Sequence, residues 1–180
     1  MKYCDVFNET SIEFYRNNIV AFCEDFFDFK LNNIQKDVLV KIQNDKYVKD
    51  FLFRGEGSTF VLCLASLWYV CLHHQAKVII TDGFNNQEIL DSQVWLEMKN
   101  CYNHFLLNEL FEKTNDFIEL KEDKKCWFIN KKRCEHENMM GILANNVMIA
   151  CDNAKYLDRI TYDAMLSTIV TPTSKLLLLG

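Results

Sequence analysis

Residues 60–72, FVLCLASLWYVCL, constrain this chain more than any other stretch. A helix built from them offers no polar face at any rotation, so it must be covered on more than one side. The run is too short to cross a bilayer, which leaves the interior of a folded domain as its place. With 180 residues, 49% of them apolar and 25% charged, the chain can bury such a helix in one globular unit.

The segments around it alternate between strand and helix patterns. Residues 12–29 carry Ile12, Tyr15, Ile19, Phe22, Phe26 and Phe29 at helical spacing, and a second helix is expected over 33–43. YVKDFLF at 47–53 reads as a strand, RGEGS as a turn, 59–74 as the buried helix and KVIIT at 77–81 as the next strand. From Asn86 to about Phe111 the pattern is helical, and DFIEL and KCWFINK read as an antiparallel pair around KEDK. NVMIAC at 146–151 suits a strand covered on both faces, a helix follows near 159–169, and SKLLLL closes the chain after Pro172. This alternation predicts an α/β fold, a three-layer arrangement with a mainly parallel sheet and helices on both faces.

A net charge of −5 argues against a protein whose main task is gripping phosphate backbones, so any nucleic-acid contact must be local. The eight cysteines (Cys4, Cys23, Cys63, Cys71, Cys101, Cys126, Cys134 and Cys151) form no CxxC pair and suit a reducing cytoplasm. The start, MKYCDVFNET, lacks the basic-then-apolar order of a signal peptide, and no association with a membrane is expected.

LFRGEGSTF at 52–60 places a glycine turn between a strand and a helix, where backbone N–H groups could cradle phosphate. Gly55 and Gly57 are retained, Ser58 stands where the lysine of a phosphate loop would be, and Thr59 is the candidate magnesium hydroxyl. A plain glycine turn before a buried helix explains the same residues equally well. VMIACDNA at 147–154 adds an apolar strand ending in Asp152, as in an element that holds magnesium. Asn153 occupies the place of the glutamate that would activate water; it can hydrogen-bond to a water but cannot take its proton.

In order and surroundings these pieces resemble the ATPase domain of the large terminase subunit, the motor that packages DNA in tailed phages. NNIQKDVLVKI is similar to the family's tryptophan-glutamine segment, which implies that Gln35 contacts adenine. DGFNNQ keeps only Gln87 of the family's Ala-Pro-Thr-x-x-Gln, Trp95 and Glu97 fall in the following helix, and NMMGILANNVMIACDNAKYLD retains Gly141, Ala144, Asp152 and Ala154. The resemblance covers about residues 31–180, with residues 1–30 as a helical segment packed on that core. It ends before the family's coupling motif and includes no nuclease domain.

The resemblance implies ATP and Mg²⁺ as ligands, held weakly, with Thr59 and Asp152 on the metal. It also implies phage packaging proteins and double-stranded DNA as partners, and ATP hydrolysis as the parent activity. Loss of a general base costs on the order of 10²–10⁴ in rate, and loss of the loop lysine removes charge stabilisation of the phosphates. The chain by itself is therefore expected to turn over ATP weakly or not at all. Arg54, earlier in the loop, is a candidate for a relocated basic residue, since a guanidinium grips phosphate bidentately; a solvated turn residue is the alternative. A non-catalytic protein-interaction module, or a prophage remnant built on the same scaffold, is the competing function.

Two further stretches have ordinary explanations. Lys124, Lys125, Lys131, Lys132 and Arg133 interleave with Trp127 and Phe128, as on a nucleic-acid strip, but a solvated hairpin rim suits the acidic whole better. Cys126, Cys134 and His136 lack the paired spacing of a zinc site. His73 and His74 end the buried helix, where a histidine meets the helix dipole favourably.

Overall fold

A computed structural model describes residues 2–50, 56–114, 117–122, 127–129, 133–139, 142 and 144–180, with the backbone alone at 127–129. Four helices lead the chain: α1 (Tyr3–Val6), α2 (Glu9–Arg16), α3 (Ile19–Phe26) and α4 (Asn33–Asn44). The single helix suggested by the apolar spacing over 12–29 is two, broken at Asn17 and Asn18. Their side-chain amides bond back to the carbonyls of Glu13 and Phe14, competing with the helical ladder. Asn8 and Asn32 cap α2 and α4 by accepting the N–H groups of Ser11 and Gln35.

Strand β1 (Tyr47–Asp50) leads to α5 (Ser58–Leu72), β2 (Ala76–Asp82) and α6 (Gln87–Ile89), which continues through a π-helical turn at Leu90–Val94 into α7 (Trp95–Asn103). Then come β3 (Phe111–Lys113), β4 (Phe117–Leu120), β5 (Trp127–Ile129), α8 (His136–Met139), β6 (Asn146–Asp152), α9 (Arg159–Thr168) and β7 (Lys175–Leu179). The strands form one seven-stranded sheet in the order β1-β7-β6-β2-β5-β4-β3. Pairings from β1 through β5 are parallel, and β4 and β3 extend the sheet antiparallel. Strand β3 was not foreseen, because three residues are too few to show a period of two.

The alternation of side chains along the central strands sorts the core into two layers. Val78, Ile80, Met148, Ala150, Leu177 and Leu179 face the layer of α5 and α7. Ile79, Val147, Ile149, Cys151, Leu176 and Leu178 face α9 and its neighbours. Both faces are covered, as the apolar strands require. No helix among the described residues is long and apolar enough to cross a membrane. Every described cysteine is a free thiol, and all but Cys4 are buried.

Helix α5 is buried along residues 61–72, and its two internal hydroxyls are satisfied, Ser66 by donating to Leu62 O at 2.8 Å and Tyr69 by donating to Thr173 O at 3.1 Å. Such burial leaves the terminal carbonyls without water, and the N-terminal helices supply donors instead. Tyr3 Oη donates to Cys71 O at 2.6 Å and Arg16 Nε to Leu72 O at 2.6 Å, the latter also setting a positive charge at the negative end of the dipole. Trp68 Nε1 donates in return to Tyr15 O at 2.8 Å. Buried Lys175, at the start of β7, caps α4 in the same way, donating to Gln43 O at 3.0 Å and Asp45 O at 2.9 Å.

His73 departs from the sequence expectation. It follows α5 and stacks on Tyr69 with ring centroids 4.1 Å apart, and burial holds its pKa down at about 3, so it is a neutral aromatic wedge rather than a cation on the dipole. A free histidine takes its proton near 6.5, so between that pH and about 3 the unfolded chain binds more protons than the folded one. The stability His73 contributes is whole above pH 6.5 and is lost as the pH falls toward 3. In urea unfolding at a series of pH values, His73→Phe should flatten this acid limb; an unchanged limb would place the loss elsewhere.

Candidate nucleotide cleft

The connection from β1 through α5 to β2 passes over β7 and β6, so the N-terminus of α5 arrives above the C-terminal tip of β6. In open parallel sheets this edge is where ligands bind. Gly57 opens α5 with φ +85° in the left-handed region that glycine adopts freely. Thr59 Oγ1 then donates to Asp152 Oδ2 at 2.5 Å, while Ser58 Oγ stands 3.5 Å from Oδ1 and the backbone N–H of Asn153 donates to Oδ1 at 3.0 Å. The fold thus brings together Gly57, Ser58, Thr59, Asp152 and Asn153, two groups that are far apart in the chain.

They line an open cleft of about 590 Å³ together with Phe84, Gln93, Lys155, Tyr156 and Gly180. Phe84 and Tyr156 stack at its rim with centroids 4.1 Å apart. The floor is drawn tight. Gly83 N–H donates to Asp152 O at 2.8 Å, and a Cβ at Gly83 would stand 2.3 Å from Asn153 O. Asn153 itself is left-handed, with φ 51°, which an asparagine tolerates.

Asp152 is buried, and burial raises its pKa, opposed by the hydrogen bonds from Thr59, Asn153 and Ser58 and by the charge of Lys155. A second carboxylate was missed by sequence reading. Asp82 ends β2 directly beside Asp152 in the β2–β6 register and, two residues on from Ile80, lies on the same face of the sheet. It is fully buried; Oδ1 accepts Phe84 N–H at 2.8 Å and Oδ2 has no hydrogen-bond partner among the described residues. Burial and the neighbouring Asp152 raise its pKa. The only sequence signal was an acid ending each of two adjacent apolar strands, and their adjacency is invisible without the sheet order.

Other expected residues lie elsewhere. Gln35 lies against Gly57; it forms a reciprocal cap with Asn32 and its Nε2 donates to Glu56 O at 3.4 Å, bracing the glycine turn. Arg54, Gly55, Gly141 and the basic-strip residues Lys124, Lys125, Cys126, Lys131 and Lys132 lie outside the described residues. Arg133 faces Glu135 at 3.7 Å. Among the described residues no three His, Cys, Asp or Glu side chains are grouped to hold a metal, so a cation here would rest on Thr59, Asp152 and a ligand's own oxygens.

The orphaned oxygen of Asp82 gives a direct test, since an unsatisfied buried acceptor costs about 1–3 kcal/mol. Asp82→Asn keeps the acceptor for Phe84 and offers a donor toward Asp152. Calorimetric melting should show a midpoint higher by a few degrees; an unchanged or lower midpoint would mean that Oδ2 is satisfied in solution.

No family model matches the chain, and no curated protein matches it either. Solved structures do. A large terminase from a thermophilic bacteriophage, in complex with ADP, superposes with a TM-score of 0.59 at 13% identity, over 83% of this chain and 38% of that one. Another crystal form of the large terminase from the same phage gives a TM-score of 0.59 at 13% identity, over 84% and 39%. The chain therefore spans under two fifths of those proteins, and over that span it has the α/β fold of a large terminase.

Proposed function

We propose that this chain is a terminase-like nucleotide-binding domain, related to the ATP-driven packaging of phage DNA, that binds ATP with Mg²⁺ weakly and hydrolyses it poorly or not at all. The observation that carries the reading is the contact between Thr59 and Asp152, which sets a hydroxyl and a carboxylate together at a helix N-terminus on the C-terminal edge of a parallel sheet. The donor set fits the ligand. Hydroxyl and carboxylate oxygens are what a hard divalent cation takes, and a cation would favour ionised Asp152 over the protonated form that burial promotes.

Bound Mg²⁺ would neutralise charge on the phosphates. Within the chain, Thr59 and Asp152 would orient it, and the N–H groups that open α5 would meet the phosphate oxygens. Ser58 brings no charge to them. Asn153 accepts no proton and, being at a left-handed turn, is held by the backbone at the cleft wall, where its amide can only orient a water. The similar fold of a terminase solved with ADP supports nucleotide binding by this chain. Packaging proteins and double-stranded DNA follow as partners from the same likeness.

Calorimetric titration with ATP and Mg²⁺ tests the reading on this chain, Asp152→Ala and Ser58→Lys. Weak binding by the native chain, lost in Asp152→Ala and tightened about tenfold or more by the added charge of Ser58→Lys, is the expected result. No heat from the native chain or Ser58→Lys would remove the nucleotide and favour the protein-interaction module.

A further inference from the structure

Beside N–H groups and Mg²⁺, a side-chain cation strengthens a phosphate site, and a metal held by Asp152 leaves part of the phosphates' charge unmatched. We propose that Lys155 supplies the positive charge missing at Ser58 and binds the phosphates of a nucleoside di- or triphosphate in this cleft. The proposal rests on the nucleotide-binding reading above and adds a side-chain cation to it.

Among the described residues, Lys155 is the one lysine or arginine that lines the cleft with Gly57, Ser58, Thr59 and Asp152. Its ammonium makes no hydrogen bond or ion pair with them. It rests 5.2 Å from the centroid of the Tyr156 ring, an exposed cation–π contact that is weak and readily given up. Its charge already acts on the Asp152 carboxylate.

The backbone holds Lys155 in place. Asp152 O is pinned by Gly83 N–H, Asn153 turns the chain left-handed, and the short 3₁₀ turn Ala154–Tyr156 carries Lys155 over the cleft three residues after the carboxylate. The side chain also borders a second cleft of about 530 Å³ that Lys49 and Arg159 help to line, so it stands on a ridge between the two. Arg159 is held there by Asp163 at 2.9 Å, whereas Lys155 has no such anchor among the described residues. A phosphate would draw it to the Thr59 side, because Gly57, Ser58 and Thr59, which open α5, line that cleft and not the second.

The test is titration of ADP with Mg²⁺ into the native chain, Lys155→Met, Lys155→Arg and Arg54→Met at two salt concentrations, with thermal melts showing that each variant folds. Lys155→Met should weaken ADP on the order of tenfold to a hundredfold and lose part of the salt dependence, with Lys155→Arg restoring most of both. Arg54→Met should have the smaller effect. Lys155→Met that binds ADP like the native chain overturns this proposal and leaves nucleotide binding standing. So does a loss that Lys155→Arg does not rescue. A folded native chain that binds no ADP overturns both.

Discussion

A helix with no polar side has to be enclosed, and most of this structure follows from enclosing α5. The sheet covers one flank through Val78, Ile80, Met148, Ala150, Leu177 and Leu179, and the N-terminal helices and α7 cover the rest with Phe22, Leu39, Trp95 and Met98. Each such side chain contributes roughly 1.5–3 kcal/mol by leaving water, so the enclosure is the main source of stability. Enclosure also removes solvent from the helix ends, which is why Tyr3 and Arg16 reach back to the last carbonyls of α5. At the other end the N–H groups are left facing a cleft.

That asymmetry gives the molecule its one concentration of chemistry among the described residues. Covered at its C-terminus and open at its N-terminus, α5 directs the positive end of its dipole toward the tips of β6 and β7, where Asp152 and Gly180 stand. Asp82 and Asp152, side by side at adjacent strand ends, put two buried carboxylates beneath it, one of them with an oxygen unpaired. Natural interiors seldom keep such a group unless a ligand, water or ion completes it. Among the described residues, Lys155 is the cation that lines the cleft together with Gly57, Ser58, Thr59 and Asp152.

Much of the fold was legible because its signals are local. The apolar run and the strand patterns at KVIIT, NVMIAC and SKLLLL each depend on neighbours a few residues away, and the alternation of strand and helix then leaves a mainly parallel sheet as the economical arrangement. Where the reading failed, a local pattern had competition. The apolar spacing over 12–29 continues through Asn17 and Asn18, but their amides bond to backbone carbonyls and split the helix. His73 sits where a cation would suit the dipole, but enclosure of α5 removes the water that a charged ring would need.

The sequence by itself determined that the chain must bury a helix on all sides, that strands and helices alternate around it, and which residues could serve a phosphate loop and a metal-holding acid. Tertiary structure alone decided that Thr59 touches Asp152, that Asp82 lies beside it with an oxygen unpaired among the described residues, that Gln35 braces the glycine turn, and that Lys155 lines the cleft. The reason is physical. Side-chain periodicity reports which face of an element is buried, whereas a site is made where the ends of elements distant in the chain converge, and that convergence is set by strand order and by the path of one crossover helix.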